Sequence, residues 1–242
     1  MPSKPYNAKR FKIGIYDFDA FSGPAAGEPA IDFELYELAT GDKVTLSDLR
    51  GRWVVLETGS ATCSMYTKNI PGIEDLIEKH ADVDFYMVYV REAHPGERLG
   101  AHKNVGEKQA AARMLERRYG ESRRILIDNC DGDFHLAYGA MPNMLYVIRP
   151  DGIVHYRCDW STVDGLDHAL THRDAPIDAE HADMKQLNAS RSLGIAIRTM
   201  WTGGFLALWD FLLAIPGIAR QHEITDTYYR EHGHLRRRSR ES

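Results

Sequence analysis

Of the three cysteines in this 242-residue chain, Cys63 has the surroundings best suited to chemistry. It stands in Glu57-Thr58-Gly59-Ser60-Ala61-Thr62-Cys63-Ser64-Met65-Tyr66, where the apolar run Trp53-Val54-Val55-Leu56 ends and a helix should begin. In parallel α/β sheets, binding sites form at the carboxyl ends of strands. A cysteine there meets unpaired backbone N–H groups and the positive end of a helix dipole. Both favour thiolate, so the pKa is expected below the free value of about 8.5. Gly59 permits close backbone approach, while Ser60, Thr62 and Ser64 offer hydroxyls to a sulfur anion or a bound oxygen. The alternative is a buried structural cysteine.

Cys130 follows Ile125-Leu126-Ile127-Asp128 on a loop toward the same sheet edge. It is a candidate resolving cysteine for a Cys63 sulfenic acid, provided the two Cα atoms come within roughly 7 Å. Its alternative is a loop thiol with no role. Cys158, in the final hairpin, reads as structural. Met141-Pro142 immediately precedes a strand, a place where X-Pro is sometimes cis, although an ordinary trans turn is the local reading.

The elements that must position these groups follow from pattern. Phe33 to Leu46 alternates around Ala39-Thr40-Gly41-Asp42, which predicts a β-hairpin. Trp53–Leu56 is a buried strand. Ile73, Leu76 and Ile77 recur at helical spacing, and Val83 to Val90 is rich in β-branched and aromatic residues. Val105 to Tyr119 returns to a helical pattern with Ala110, Ala111, Met114 and Leu115 on one side. Ile125–Ile127 is a brief strand. Leu145–Ile148 and Ile153–Tyr156 flank the turn Pro150-Asp151-Gly152. Strands alternating with helices imply a parallel sheet, to which the closing hairpin adds antiparallel strands. The expected organisation is a lead-in over 1–29, an α/β domain with a mixed central sheet over 30–165, and a mostly helical extension over 166–242.

At 43% hydrophobic and 27% charged residues the chain can bury a core, and a net charge of −5 gives no general reason for nucleic-acid binding. The basic tail Arg236-Arg237-Arg238-Ser239-Arg240 reads as solvated. Unpaired cysteine spacing argues against a disulfide framework or a zinc site, and no metal is expected. His168, His172 and His181 read as part of a solvated segment, and His135 and His155 have no evident partners. The opening residues do not resemble a signal peptide, which points to a reducing, cytoplasmic setting. Leu193 to Ala219 is apolar but interrupted by Arg198, Gly203-Gly204, Asp210 and Pro216, too short for a membrane span of roughly 20 residues. A packed or partner-facing helix pair is expected there, with an interfacial membrane helix as the alternative.

Three stretches carry a family resemblance. Gly59-Ser60-Ala61-Thr62-Cys63, Arg91-Glu92-Ala93-His94-Pro95 and the proline-plus-strand segment from Tyr138 to Ile148 occur in order on the right elements. Over roughly residues 30–160 the chain resembles the redoxin superfamily and, more narrowly, the iodothyronine deiodinases. The resemblance implies a thioredoxin-like fold, with Cys63 in the place of selenocysteine. It implies His94 as the catalytic histidine, Glu92 as its neighbouring glutamate, and His102 as a second histidine for substrate binding or proton relay. Pro142, with Met141, would face the thiol. The sequence differs from the family pattern at Ala61, where a cysteine is usual, at Ser64, where a proline is usual, and in showing no N-terminal membrane anchor.

The expected function is that of a thiol-dependent oxidoreductase without a bound cofactor, drawing electrons from an external thiol. Cys63 would attack a peroxide oxygen, a disulfide sulfur or a carbon-bound halogen, with His94 as proton donor or acceptor. Thr62 would stand with these in the catalytic group, and Ser60, His102, Met141 and Pro142 would contact a small-molecule substrate. With sulfur in place of selenium, peroxidase chemistry stands ahead of dehalogenation. A homodimer is expected by analogy alone. The contrasting class is a non-catalytic module that binds a partner or membrane through its C-terminal apolar segment.

Overall fold

The computed structural model describes residues 6–18, 20–176, 183–185, 193–233, 236 and 237. Strands β1 (Glu34–Glu37) and β2 (Lys43–Thr45) form the expected hairpin, turning at Gly41 with φ +77°. After it come β3 (Trp53–Gly59), α1 (Ser64–Thr67), α2 (Ile70–Lys79) and β4 (Val83–Tyr89). Next are α3 (Val105–Tyr119), β5 (Arg124–Ile127), α4 (Asp133–Tyr138), β6 (Met144–Ile148), β7 (Val154–Asp159) and α5 (Val163–Thr171). The described chain ends with β8 (Asp183–Lys185), α6 (Leu193–Gly203) and α7 (Phe205–His232).

The eight strands form one sheet in the order β2-β1-β5-β4-β3-β6-β7-β8. β3 pairs parallel with β4 and antiparallel with β6, which is itself antiparallel to β7. A βαβ unit and a ββα unit thus share one sheet, the arrangement of a thioredoxin-like fold. The central strands are covered on both faces, which is why they read as continuous apolar runs. Val55, Phe85, Met87 and Leu145 point toward α2, α3 and α5, while Val54, Leu56, Val88 and Tyr146 point toward α4 and the N-terminal segment.

α3 starts at Asn104, whose side chain accepts from the Glu107 N–H at 2.9 Å, and stops at Gly120 with φ +73°. Its buried face is Lys108, Ala111, Ala112 and Leu115, whereas the expected Ala110 lies outside it. Lys108 breaks the apolar pattern because its ammonium reaches the Asn129 carbonyl at 2.9 Å, leaving the stem in the core.

The sequence boundary at 165 falls inside α5, whose Leu166 and Leu170 share a core with Val55 and Phe85. α6 and α7 meet at Gly203-Gly204 and fold back over the carboxyl edge of the sheet. Thr67 of α1 hydrogen-bonds Thr199 of α6 at 3.1 Å, and the Gly203 carbonyl accepts from the Arg98 N–H at 3.0 Å. A Cβ on Gly96 would collide with that Gly203 carbonyl, so glycine is required at this approach. The carboxylate of Glu97 caps α7 through the N–H groups of Phe205 and Leu206 at 2.6 and 2.9 Å. From the other end of the chain, Arg10 pairs with Asp210 at 2.5 Å. No described helix is long and apolar enough to cross a membrane.

Candidate functional site

β3 and β4 deliver two loops to one edge of the sheet, and these loops are bonded to each other. Cys63 is the N-cap of α1, in extended conformation, and its N–H returns to the Ser60 carbonyl at 3.1 Å. The Ser60 hydroxyl accepts from the Ala93 N–H at 3.1 Å. The Thr62 hydroxyl accepts from the His94 N–H at 3.1 Å and donates to Glu92 at 2.6 Å. The Thr62 proton is therefore spent on Glu92 and not, as the local sequence suggests, on the sulfur. Ser60 is tied to the loop junction as an acceptor, and neither residue lines the cavity. Ser64 does line the space beside Cys63.

Glu92 lies at the centre of this junction. It accepts from the Thr62 N–H at 3.1 Å, from the Thr62 and Tyr89 hydroxyls, and faces His102 Nε2 at 3.2 Å. The histidine that Glu92 orients is thus His102, and no hydrogen bond joins Glu92 to His94. His102 is buried at this junction, behind the cavity wall and outside the residues that line it.

His94 stands instead among aromatic rings, 4.4 Å from Phe11 and 5.3 Å from Phe211 between ring centres. Its Nδ1 is buried with no hydrogen-bond partner among the described residues. Burial lowers its pKa to about 4, against a smaller opposing pull from Asp210. Burial likewise pushes the Cys63 thiol up to about 12, more than the Tyr66 and Met65 N–H groups at the start of α1 can offset. The expected depression is absent because α1 has only four residues and Cys63 is 3% exposed. Desolvation outweighs the local dipoles.

Below the thiol lies a second buried network. Arg123 binds Glu57 at 2.7 Å, Glu121 at 2.7 and 2.8 Å, and the Tyr66 hydroxyl at 2.8 Å. Glu57 also accepts from Asn143 at 3.1 Å and Ser161 at 2.5 Å. Helix α1, the Pro142 loop and the chain after β7 are therefore held to one anchor. The Tyr66 ring packs onto Gly59 so closely that a Cβ there would overlap it.

Cys63, His94 and Pro142 share a cavity of about 250 Å³. Its walls are largely aromatic and aliphatic, with Phe11 and Phe18 from the lead-in, Trp160 after β7, and Phe211 and Ile218 from α7. Lys68 and His222 add nitrogen at its margin, and burial lowers the Lys68 pKa. Trp160 and Ala140 both adopt positive φ, +66° and +60°, beside the Pro142 loop. No peptide bond among the described residues is cis, so Met141–Pro142 is trans. Met141 turns into the core and its carbonyl accepts from His135 Nε2 at 2.7 Å, leaving Pro142 alone at the cavity.

Cys130 is half-buried, outside this cavity, on a loop after β5. β5 is two strands from β3, roughly 9–10 Å at the usual strand spacing and beyond the Cα reach of a disulfide. Cys158 is buried on β7 with its thiol donating to the Asp159 carbonyl at 3.3 Å. Among the described residues no three His, Cys, Asp or Glu side chains cluster as a metal site. His168 and His172 lie 4.2 Å apart, and His181 falls outside the described residues. Sequence reasoning missed Phe11, Phe18, Trp160, Phe211 and His222. The only signals available were the aromatic lead-in and the apolar segment after Leu193.

The family profile for iodothyronine deiodinase matches residues 10–160, beginning earlier than residue 30 and so including Phe11 and Phe18. Bovine type II iodothyronine deiodinase is 26% identical over 151 residues, 55% of this chain and 56% of the relative. The rat type II enzyme is 30% identical over 113 residues, 40% of this chain and 42% of the relative. The chain thus spans about half the length of the curated relatives it matches. A solved protein of Sinorhizobium meliloti shares the fold at a TM-score of 0.52 and 13% identity, covering 65% of this chain and 90% of that one. With the profile spanning the hairpin, both site loops and the closing ββ unit, the chain belongs to the iodothyronine deiodinase family.

Proposed function

We propose that the chain is a cysteine-dependent reductive dehalogenase of small haloaromatic molecules, with Cys63 as nucleophile and His94 as proton carrier. The observation that carries this reading is that thiol and imidazole line one aromatic-walled cavity. Aromatic walls suit a ring-bearing substrate better than hydrogen peroxide, which needs polar contacts, and they move dehalogenation ahead of peroxidase chemistry. The names of the curated relatives support the same class.

With the thiol raised to about 12 and the imidazole lowered to about 4, the pair that lines this cavity holds one proton, on sulfur. That proton leaves sulfur only as the sulfur takes the halogen, with His94 relaying a proton in the same step, so the buried pair never holds the separated charges that burial disfavours. The sulfur takes the halogen as a sulfenyl halide, the carbon–halogen bond breaks, and the proton it gives up reaches the ring carbon through His94. An external thiol then attacks the sulfenyl halide, a second completes a disulfide, and Cys63 returns with release of halide and a proton. Glu92, through Thr62, holds the His94 loop against the Cys63 loop.

A second reading has its own observation: a thiol this deeply buried also suits a scaffold without catalysis. Iodide release from an iodinated phenol under excess dithiothreitol separates the two. Turnover abolished by Cys63→Ser and lowered about 10²–10⁴-fold by His94→Ala is expected. Halide release that survives Cys63→Ser, or none from the native chain, overturns the catalytic reading.

A further inference from the structure

The helix pair over the cavity turns a second, unpartnered apolar face outward. Trp201, Phe205, Trp209, Leu212 and Leu213 are 43–64% exposed. From Phe205 they fall at i, i+4, i+7 and i+8, one face of α7, and Trp201 stands one turn earlier across the Gly203-Gly204 junction. Phe205 and Trp209 stack at 6.2 Å, so the stripe is continuous. The opposite face, with Met200, Ala207 and Ala214, is buried against the domain. Isolated exposed apolar residues are ordinary, but a contiguous stripe of large ones marks a binding surface.

The charges around the stripe select its occupant. The Arg98 guanidinium lies 4.6 Å over the Trp201 ring, Arg198 is exposed one turn before Trp201, and Lys12 is exposed beside Ile13, which packs on α7 at Gly217. Nearby acids are engaged, Glu97 in capping α7 and Asp210 with Arg10. A chain of net charge −5 therefore rims its apolar face with cations. Tryptophan and phenylalanine flanked by arginine and lysine, on helices of which none is both long and apolar enough to span, match the interfacial region of an anionic bilayer.

We infer that α6 and α7 dock the protein flat on an anionic membrane surface. Ile195 and Ile215, 36% and 40% exposed, line the cavity and also border this face, so the cavity mouth lies beside the docked surface. The inference stands on the outer face of the helices, whatever chemistry Cys63 performs.

Co-sedimentation of the full chain with vesicles, one set pure phosphatidylcholine and the other phosphatidylcholine and phosphatidylglycerol in equal parts, tests it. Partition onto the mixed vesicles, a blue shift of tryptophan emission and weakening by salt are expected. Trp209→Glu or Leu213→Glu should each lower the partition by at least about tenfold. Lys12→Gln should lower it about fivefold on mixed vesicles and leave phosphatidylcholine unaffected. Circular dichroism checks that these variants are folded. Failure of the folded native chain to partition overturns the inference, as does equal partition by the Trp209 and Leu213 variants. So does a dimer in sedimentation equilibrium that the same substitutions dissociate, since a second copy would then own the face.

Discussion

Beneath Cys63, Glu57, Arg123, Glu121, Tyr66 and Asn143 hold one another through short charged hydrogen bonds, all at exposures of a few per cent. Above it, α7 is tied at its start by Glu97 and Arg10, meets the domain through Ala207, Ala214 and a few rings, and turns Trp209 and Leu213 to the outside. The floor is fixed by directional bonds that a small displacement would break. The roof is pinned at the start of α7, by Glu97 and by Arg10 with Asp210, and elsewhere rests mostly on apolar contact, which is non-directional and tolerates sliding. The contrast teaches where rigidity is concentrated: around the thiol-bearing helix, with the freedom left on the side from which a ligand arrives.

The largest expected effect comes from the floor. Arg123→Met leaves Glu57 and Glu121 buried without their cation and should cost about 3–5 kcal/mol in urea unfolding. A loss under about 1 kcal/mol would mean that the floor relaxes or hydrates, and the contrast would fail. Acid should act next. His135, on α4 across the sheet from the floor network, has its pKa lowered by burial to about 3, and His94, beneath the roof, to about 4. Between these values and the ordinary 6.5, the unfolded chain binds protons that the folded chain refuses. Stability therefore falls as pH drops through that window, at up to about 1.4 kcal/mol per pH unit for each histidine. Thermal unfolding of His135→Asn and His94→Asn against pH separates the share of the core beneath α4 from the roof's, with the former extending to lower pH. The smallest effect belongs to the roof, where Leu213→Ser should change unfolding free energy by no more than about 0.5 kcal/mol. A greater loss would show that the outer face of α7 contributes to the fold as much as the buried network does.

The legible parts of the site were those with a local cause. The run Trp53–Leu56, the glycine and the cysteine after it announce a strand that ends in a reactive position, and the Glu92–His94 loop follows an equally clear strand. The alternating elements announced a mixed α/β sheet, and the resemblance carried by the three motifs supplied its thioredoxin-like arrangement. The partner of Glu92 was not legible, since Thr62, Tyr89 and His102 reach it from three separate segments. Nor was the loss of Thr62 as a sulfur donor, because its proton goes to Glu92 across the loop junction. α3 misled at two positions, Ala110 and Met114 standing outside the buried face, and for Lys108 the reason is comparable: it is buried by the Asn129 carbonyl, which no helical period can announce.

By itself the sequence determined the order of the elements, the placement of Cys63 at the carboxyl end of a central strand, and the family to which three separated motifs belong. All three depend on periodicity and on neighbours along the chain. Only the tertiary structure decided that the thiol is held protonated and the imidazole neutral. It also decided that Cys130 lies two strands away, and that the two ends of the chain roof the cavity. Local dipoles scale with the backbone around a residue, and these were readable. Desolvation depends on whatever packs against it, and for His94 that means Phe11 and Phe211, brought from opposite ends of the described chain.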